Sequence, residues 1–195
     1  MKKLEFKKGI KYPFKRTKGL LNILWLFLPI FGWFALGGYG IRIIQEFSKG
    51  NFEKLPRFKF VDNMKLGFFM LIKSIPFSLA YIFFLVIVKE IINSSFAPNF
   101  YISIIELFIG LFIVPVLTIN FLNKETVESY FEFNIILEVF NNLEDYVIAL
   151  LKDFLLGLIF VFMFIILVGI PAALFTKSIF VADFYRRKIA SNFTN

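Results

Sequence analysis

Four long runs of apolar residues, separated by short polar connectors, constrain this chain more than any other feature. They lie at about residues 20–44, 67–88, 100–122 and 146–170, and each holds the ~20 residues that a helix needs to cross the ~30 Å hydrocarbon core of a bilayer. A backbone in lipid must satisfy its own hydrogen bonds, so runs of this length imply helices. The expected fold is all-α: a polytopic membrane helix bundle with about four crossings, in a range of roughly four to six. Composition agrees. Apolar residues fill 58% of the 195 positions and mean hydropathy is +0.76, against roughly 45–50% apolar in a typical soluble domain. Thirty phenylalanines would crowd one small soluble core, whereas lipid-facing helices accept them.

The domain reading is a basic juxtamembrane tail over residues 1–19, where Glu5 is the single acid among eight cations, followed by one transmembrane domain over 20–195. The first run is interrupted by Pro29-Ile30-Phe31-Gly32. A kinked crossing is the favoured reading, because proline kinks are tolerated in membrane helices. The alternatives are a re-entrant hairpin of two short arms and a cleaved signal peptide, the latter disfavoured because the apolar run exceeds the usual ~7–15 residues. Two amphipathic surface helices are expected, at about 52–66 and 125–145. In the first, Phe58 and Phe60 alternate with Arg57 and Lys59, which suits rings turned inward and amines reaching water. In the second, Val127, Tyr130, Leu137 and Phe140 share one side and Glu128, Glu132, Glu138 and Asp145 the other. Gly169-Ile170-Pro171 breaks the fourth run, and residues 172–185 form a short final segment. Span, surface segment, span recurs in both halves, a weak internal repeat of a kind common in membrane folds.

No cysteine and no histidine is present. Disulfides, Cys or His metal sites, thiol nucleophiles and imidazole acid–base chemistry are thereby removed. No enzyme activity, metal or other cofactor is expected. Glu125, Glu128 and Glu132 at helical spacing read as a solvated face, and Gly37-Gly38-Tyr39-Gly40 reads as close helix packing, since it lacks the lysine and flanking strand of a phosphate loop. The formal charge of +8 sits in termini and connectors beside apolar runs. Membrane lipids are therefore the expected partners, with other membrane proteins or a second copy beside them, and nucleic acid is not.

The ordered motifs Tyr12-Pro13-Phe14, Gly38-Tyr39-Gly40-Ile41-Arg42, Leu55-Pro56-Arg57-Phe58, Phe131-Glu132-Phe133 and Phe184-Tyr185-Arg186 together resemble the domain-of-unknown-function 4013 family (DUF4013) of archaeal and bacterial membrane proteins. The resemblance implies an integral membrane protein and no known activity.

Ionisable groups inside apolar runs are the candidate functional positions, because a charge at mid-bilayer costs at least ~2.5–3.5 kcal/mol. They are Lys73, Glu106, Lys152, Asp153, Lys177 and Asp183. Lys73 and Glu106 enter their runs from opposite faces, which leaves Lys73–Asp153 as the better ion pair. Snorkelling or a packing salt bridge is the plain account; an ion path is the sharper one. The expected function is a non-catalytic membrane scaffold or envelope component, with a small transporter or channel as the alternative.

With four crossings, the side bearing both termini collects the tail cations, Lys89, Arg186, Arg187 and Lys188, which places that side in the cytoplasm of the cell. Single cysteines introduced at positions 10 and 190 should react with an impermeant maleimide only from the cytoplasmic face; labelling from outside would reverse the assignment.

Overall fold

The structure, a computed structural model, describes residues 3–92 and 98–191, and it is helical with no strand among those residues. The polar connector around Asn93-Ser94-Ser95 lies outside the described residues. The chain is organised as three helical hairpins.

The first hairpin follows a short helix, α1 (Phe6–Lys11), and α2 (Thr17–Leu20), which passes into a 3₁₀ segment over Leu21–Phe27. At Pro29-Ile30 the chain reverses and returns as α3 (Phe31–Ser48). Trp33 Nε1 donates to the Leu26 carbonyl at 3.1 Å, and a Cβ on Gly32 would lie 1.9 Å from the Trp25 carbonyl oxygen. Residues 20–44 are thus two antiparallel arms, not the kinked crossing expected. The cause is local: Pro29 has no N–H to continue a helix, and Ile30, at φ 63° and ψ −70°, is the centre of a γ-turn closed by the Phe31 N–H on the Pro29 carbonyl at 2.7 Å.

The second hairpin pairs α4 (Phe60–Ile92) with a rod built from α5 (Pro98–Phe108), a π-helical turn over Ile109–Ile113, and α6 (Val114–Lys124). Glu125, at φ 57°, ends this rod. Instead of one amphipathic helix over 125–145, the chain makes a 3₁₀ turn at Glu128–Phe131, then α7 (Asn134–Asn141), and enters α8 (Leu143–Phe162) directly. The other expected surface helix, 52–66, is also absent. Residues 51–59 are non-helical, but the alternation holds: Phe58 packs on Tyr39 at 5.3 Å and on Trp25 at 6.1 Å, while Arg57 and Lys59 are exposed.

The third hairpin turns at Leu167, with φ 56°. Its return arm is α9 (Gly169–Phe175) and α10 (Ile179–Tyr185). All seven residues of α10 are buried, so the short final segment is the centre of the molecule. Tyr39 meets Phe175, Phe6 stacks on Phe180, and Tyr146 packs on Phe184. The basic segment before residue 20 is likewise no free tail: Leu4 and Tyr12 are buried, and Gly9 lies against the Phe180 ring.

Among the described residues three helical rods, Phe60–Ile92, Asn99–Lys124 and Leu143–Ile165, are long and apolar enough to cross a membrane, against four crossings expected; residues 20–44 account for the difference. At ~1.5 Å per residue α4 is about 50 Å long, well beyond the ~30 Å core. It meets α3 through backbone contact. A Cβ on Gly38 would stand 1.8 Å from the Asn63 carbonyl oxygen, and one on Gly67 would stand 2.0 Å from that of Phe34, so Gly38 serves close packing, while a Cβ at Gly37 or Gly40 would meet nothing within 4 Å.

Pro115 has no N–H to return to the turn before it, and the Leu111 carbonyl four residues back accepts the Tyr146 hydroxyl at 2.6 Å. That bond ties the α5–α6 rod to α8. Tyr146→Phe should destabilise the detergent-solubilised protein by about 1–3 kcal/mol. Pro115→Ala, which restores a backbone donor, should soften the loss; equal losses in both backgrounds of a double-mutant cycle would refute the link.

Candidate functional site

The six ionisable candidates divide into a group around α10 and three outliers. Asp153, on α8, accepts the backbone N–H of Phe180 at 3.1 Å and of Val181 at 3.0 Å. It therefore caps α10 from another helix, where Ser178 makes no side-chain cap and where the helix dipole favours an anion. Lys152 lies 5.7 Å from the Phe180 ring centroid, a cation–π approach. Asp183, inside α10, is 2% exposed and is saturated with donors: Leu4 N at 3.0 Å, Arg186 Nη2 at 2.7 Å and Arg187 Nε at 3.1 Å.

Arg187 extends this cluster. Its Nη1 donates to Asp145 at 3.0 Å, and Asp145 also pairs with Lys3 and, at 3.7 Å, with Lys188. Two carboxylates thus clasp the segment at Lys3–Leu4 to the end of α10 and the start of α8. A buried guanidinium without its partner costs several kcal/mol, so each member depends on the others.

The outliers are placed differently. Lys73 donates to the Glu125 carbonyl at 2.8 Å; it caps the end of α6 and does not pair with Asp153 as expected. Gln45 joins the same point, donating to the Leu122 carbonyl and to Glu125 Oε1, both at 2.7 Å. Glu106 is exposed on α5 and Lys177 is exposed in the turn between α9 and α10.

A second buried cluster centres on Asn120. Its amide donates to the Ser129 carbonyl at 2.7 Å and to Glu132 at 3.0 Å, and its carbonyl oxygen accepts the Tyr185 hydroxyl at 2.6 Å. Partial burial pushes the Glu132 carboxyl up, but hydrogen bonds from Lys124 and Asn120 and the Lys124 charge bring it below the ordinary carboxylate value. Burial, then the Glu132 charge, pushes the Tyr185 phenol up to about 12. Sequence reasoning passed over Asn120, whose one signal was a polar side chain inside an apolar run, and used Arg187 only as a cation that sets orientation.

In the two buried clusters and at Lys73, carboxylates, guanidinia and amides cap a helix, close a carbonyl or join segments. This is an all-helical protein with three helices of membrane-crossing length and an interior held by polar clasps. The chain belongs to the DUF4013 family, described as a protein of unknown function, whose family model matches residues 21–169. That stretch contains the Gly38–Arg42, Leu55–Phe58 and Phe131–Phe133 motifs; Tyr12–Phe14 and Phe184–Arg186 lie outside it. No curated protein and no solved structure matches the chain.

Asp183→Asn would keep the shape of the side chain and remove the charge that Arg186 and Arg187 share. The expected loss is about 3–5 kcal/mol of stability, read as a lowered melting temperature in detergent, whereas Glu106→Gln should change it by less than about 0.5 kcal/mol.

Proposed function

We propose that this protein is a non-catalytic scaffold or envelope component, integral to the cell membrane, that works through contacts with lipid or with other membrane proteins, including further copies of itself. The observation that carries the reading is the direction in which the long helices present their apolar side chains. Within the most apolar stretch of each rod, none of the residues of α4 is buried, 22% of those over Asn99–Lys124 are, and 17% of those over Leu143–Ile165 are. Soluble monomers rarely expose apolar patches beyond a few hundred Å², and a bilayer supplies the missing solvent.

Two features support a scaffold over a conduit. Among the candidate charges, Lys73, Asp153 and Asp183 are occupied in holding helices together, while a solute path needs polar groups free to face it. The clasp between Lys3–Leu4 and Asp183–Arg187 keeps both segments on one side, and the excess of cations there favours the cytoplasmic face.

The reading is tested by extraction and by transport. The protein should stay with the membrane pellet in alkaline carbonate and leave it only in detergent, and proteoliposomes should show no saturable flux with a panel of ions and small solutes. Release by carbonate would overturn membrane integration; reproducible saturable flux would overturn the scaffold role.

A further inference from the structure

An open cavity of about 630 Å³ lies where the first hairpin meets the extended segment that leads to α4. Lys15, Arg16, Lys54 and Arg57 line it, against Glu46 and Glu53. Glu46 is already engaged by the Asn51 amide at 2.7 Å. None of the four cations has an ion-pair partner among the described residues. The cavity is thus concave, within the ~300–1,000 Å³ range of small-ligand sites, and in surplus of positive charge.

Its wall is anchored. Leu55 is fully buried, wedged beneath Gly19, where a Cβ would come within 2.9 Å of it. The Leu55 carbonyl accepts Arg16 Nη1 at 3.3 Å and the Pro56 carbonyl accepts the Tyr39 hydroxyl at 3.1 Å. These bonds pin the two residues between Lys54 and Arg57, so the flanking cations project from a fixed backbone. Gly50, at φ +88°, closes the opposite side against the Arg186 guanidinium, 3.3 Å from where a Cβ would sit. That guanidinium lies over the Phe52 ring at 5.1 Å.

Beside the cavity stands an aromatic cluster of interfacial type: Trp25 against Phe60 at 4.5 Å and against Phe58 at 6.1 Å. Trp25 belongs to the exposed apolar arm that contains Leu24, Leu26 and Phe27. Tryptophan belts mark the level of lipid headgroups, and guanidinia grip phosphate oxygens in pairs. An unpaired basic cavity next to such a belt matches one ligand chemistry, a phosphate esterified to a lipid.

We propose that this cavity binds the phosphate-bearing headgroup of an anionic phospholipid, held by Arg57 and Lys54 on the extended segment and by Arg16 and Lys15 on the turn between α1 and α2. The proposal rests on the membrane reading above and specifies which lipid contact the scaffold makes. A bare phosphate would fill little of the space; a headgroup with its glycerol suits it better.

The test uses the full chain purified in a zwitterionic detergent, with phosphatidylglycerol, phosphatidylcholine and inorganic phosphate as separate additions and the melting temperature as the readout. Phosphatidylglycerol should raise it saturably and phosphatidylcholine should not. Arg57→Gln should weaken the apparent affinity roughly ten-fold, and Lys54→Gln with Arg57→Gln further. Lys59→Gln and Lys65→Gln, whose side chains lie outside the cavity, should leave it within about two-fold. Both cavity variants alter exposed side chains, so their unliganded melting temperatures report whether folding is intact. An equal response to inorganic phosphate would overturn the lipid assignment in favour of a soluble anion, and equal losses in all variants would reduce it to general surface charge. A protein retained in carbonate-washed membranes but indifferent to phosphatidylglycerol would refute this site alone; one released by carbonate would refute the membrane reading on which it rests.

Discussion

The Asp183 carboxylate gathers donors from the backbone of Leu4 and from Arg186 and Arg187, and the arrangement of the three hairpins follows from it. Because α10 carries this charge at the centre of the molecule, it must lie where cations and N–H groups can reach it, and the surrounding elements close over it. Asp153 fixes the other end of the same short helix. The segment before residue 20 is drawn onto this surface by Lys3 and Leu4, and its packing buries Tyr12 against Phe47. Without the carboxylate, Arg187 would keep Asp145 but lose the acceptor of its Nε, in an interior where an unmet donor is costly.

The interior and the surface divide the apolar residues between them. A few charged and amide side chains bridge helices within a largely apolar core, and the apolar side chains of the long rods face outward. In water this would be unstable; in hydrocarbon it is the expected division, since apolar side chains gain little by leaving lipid and helices are held by close packing and hydrogen bonds. The Gly38–Gly67 contact and the Tyr146–Leu111 bond are the two forms of that adhesion here.

How much of this was legible from the residues depends on the range of the interaction. Apolar length marked α4, the α5–α6 rod and α8 as helices long enough to cross a membrane, because length and composition are properties of a local run. Glycine packing at Gly38 and the ring-in, amine-out alternation at Phe58 were also legible, for the same reason. Pro29 announced a break but not its angle: a kink and a reversal have the same composition and differ in the γ-turn at Ile30. The 125–145 stretch misled because an amphipathic pattern tolerates interruption, and Glu125 takes a left-handed conformation that its residue type gives little reason to expect. Asp183 and Lys73 were singled out by charge. The Arg186 and Arg187 partners of Asp183 stand three and four residues on, at helical spacing, but Leu4 N and the Glu125 carbonyl are backbone groups, which no side-chain pairing rule would have found.

The clasp also orders events in time. Lys3 and Leu4 bond to residues 142 and 179 positions later. At a synthesis rate of roughly 5–20 residues per second, the shorter wait is about 7–30 seconds and the longer about 9–36 seconds. During that interval the basic N-terminal segment lacks Asp145 and Asp183, while the residues of the first hairpin and α4 are already synthesised. The earliest part of the chain is therefore the last to find its place, and completion of the third hairpin is the step that locks it.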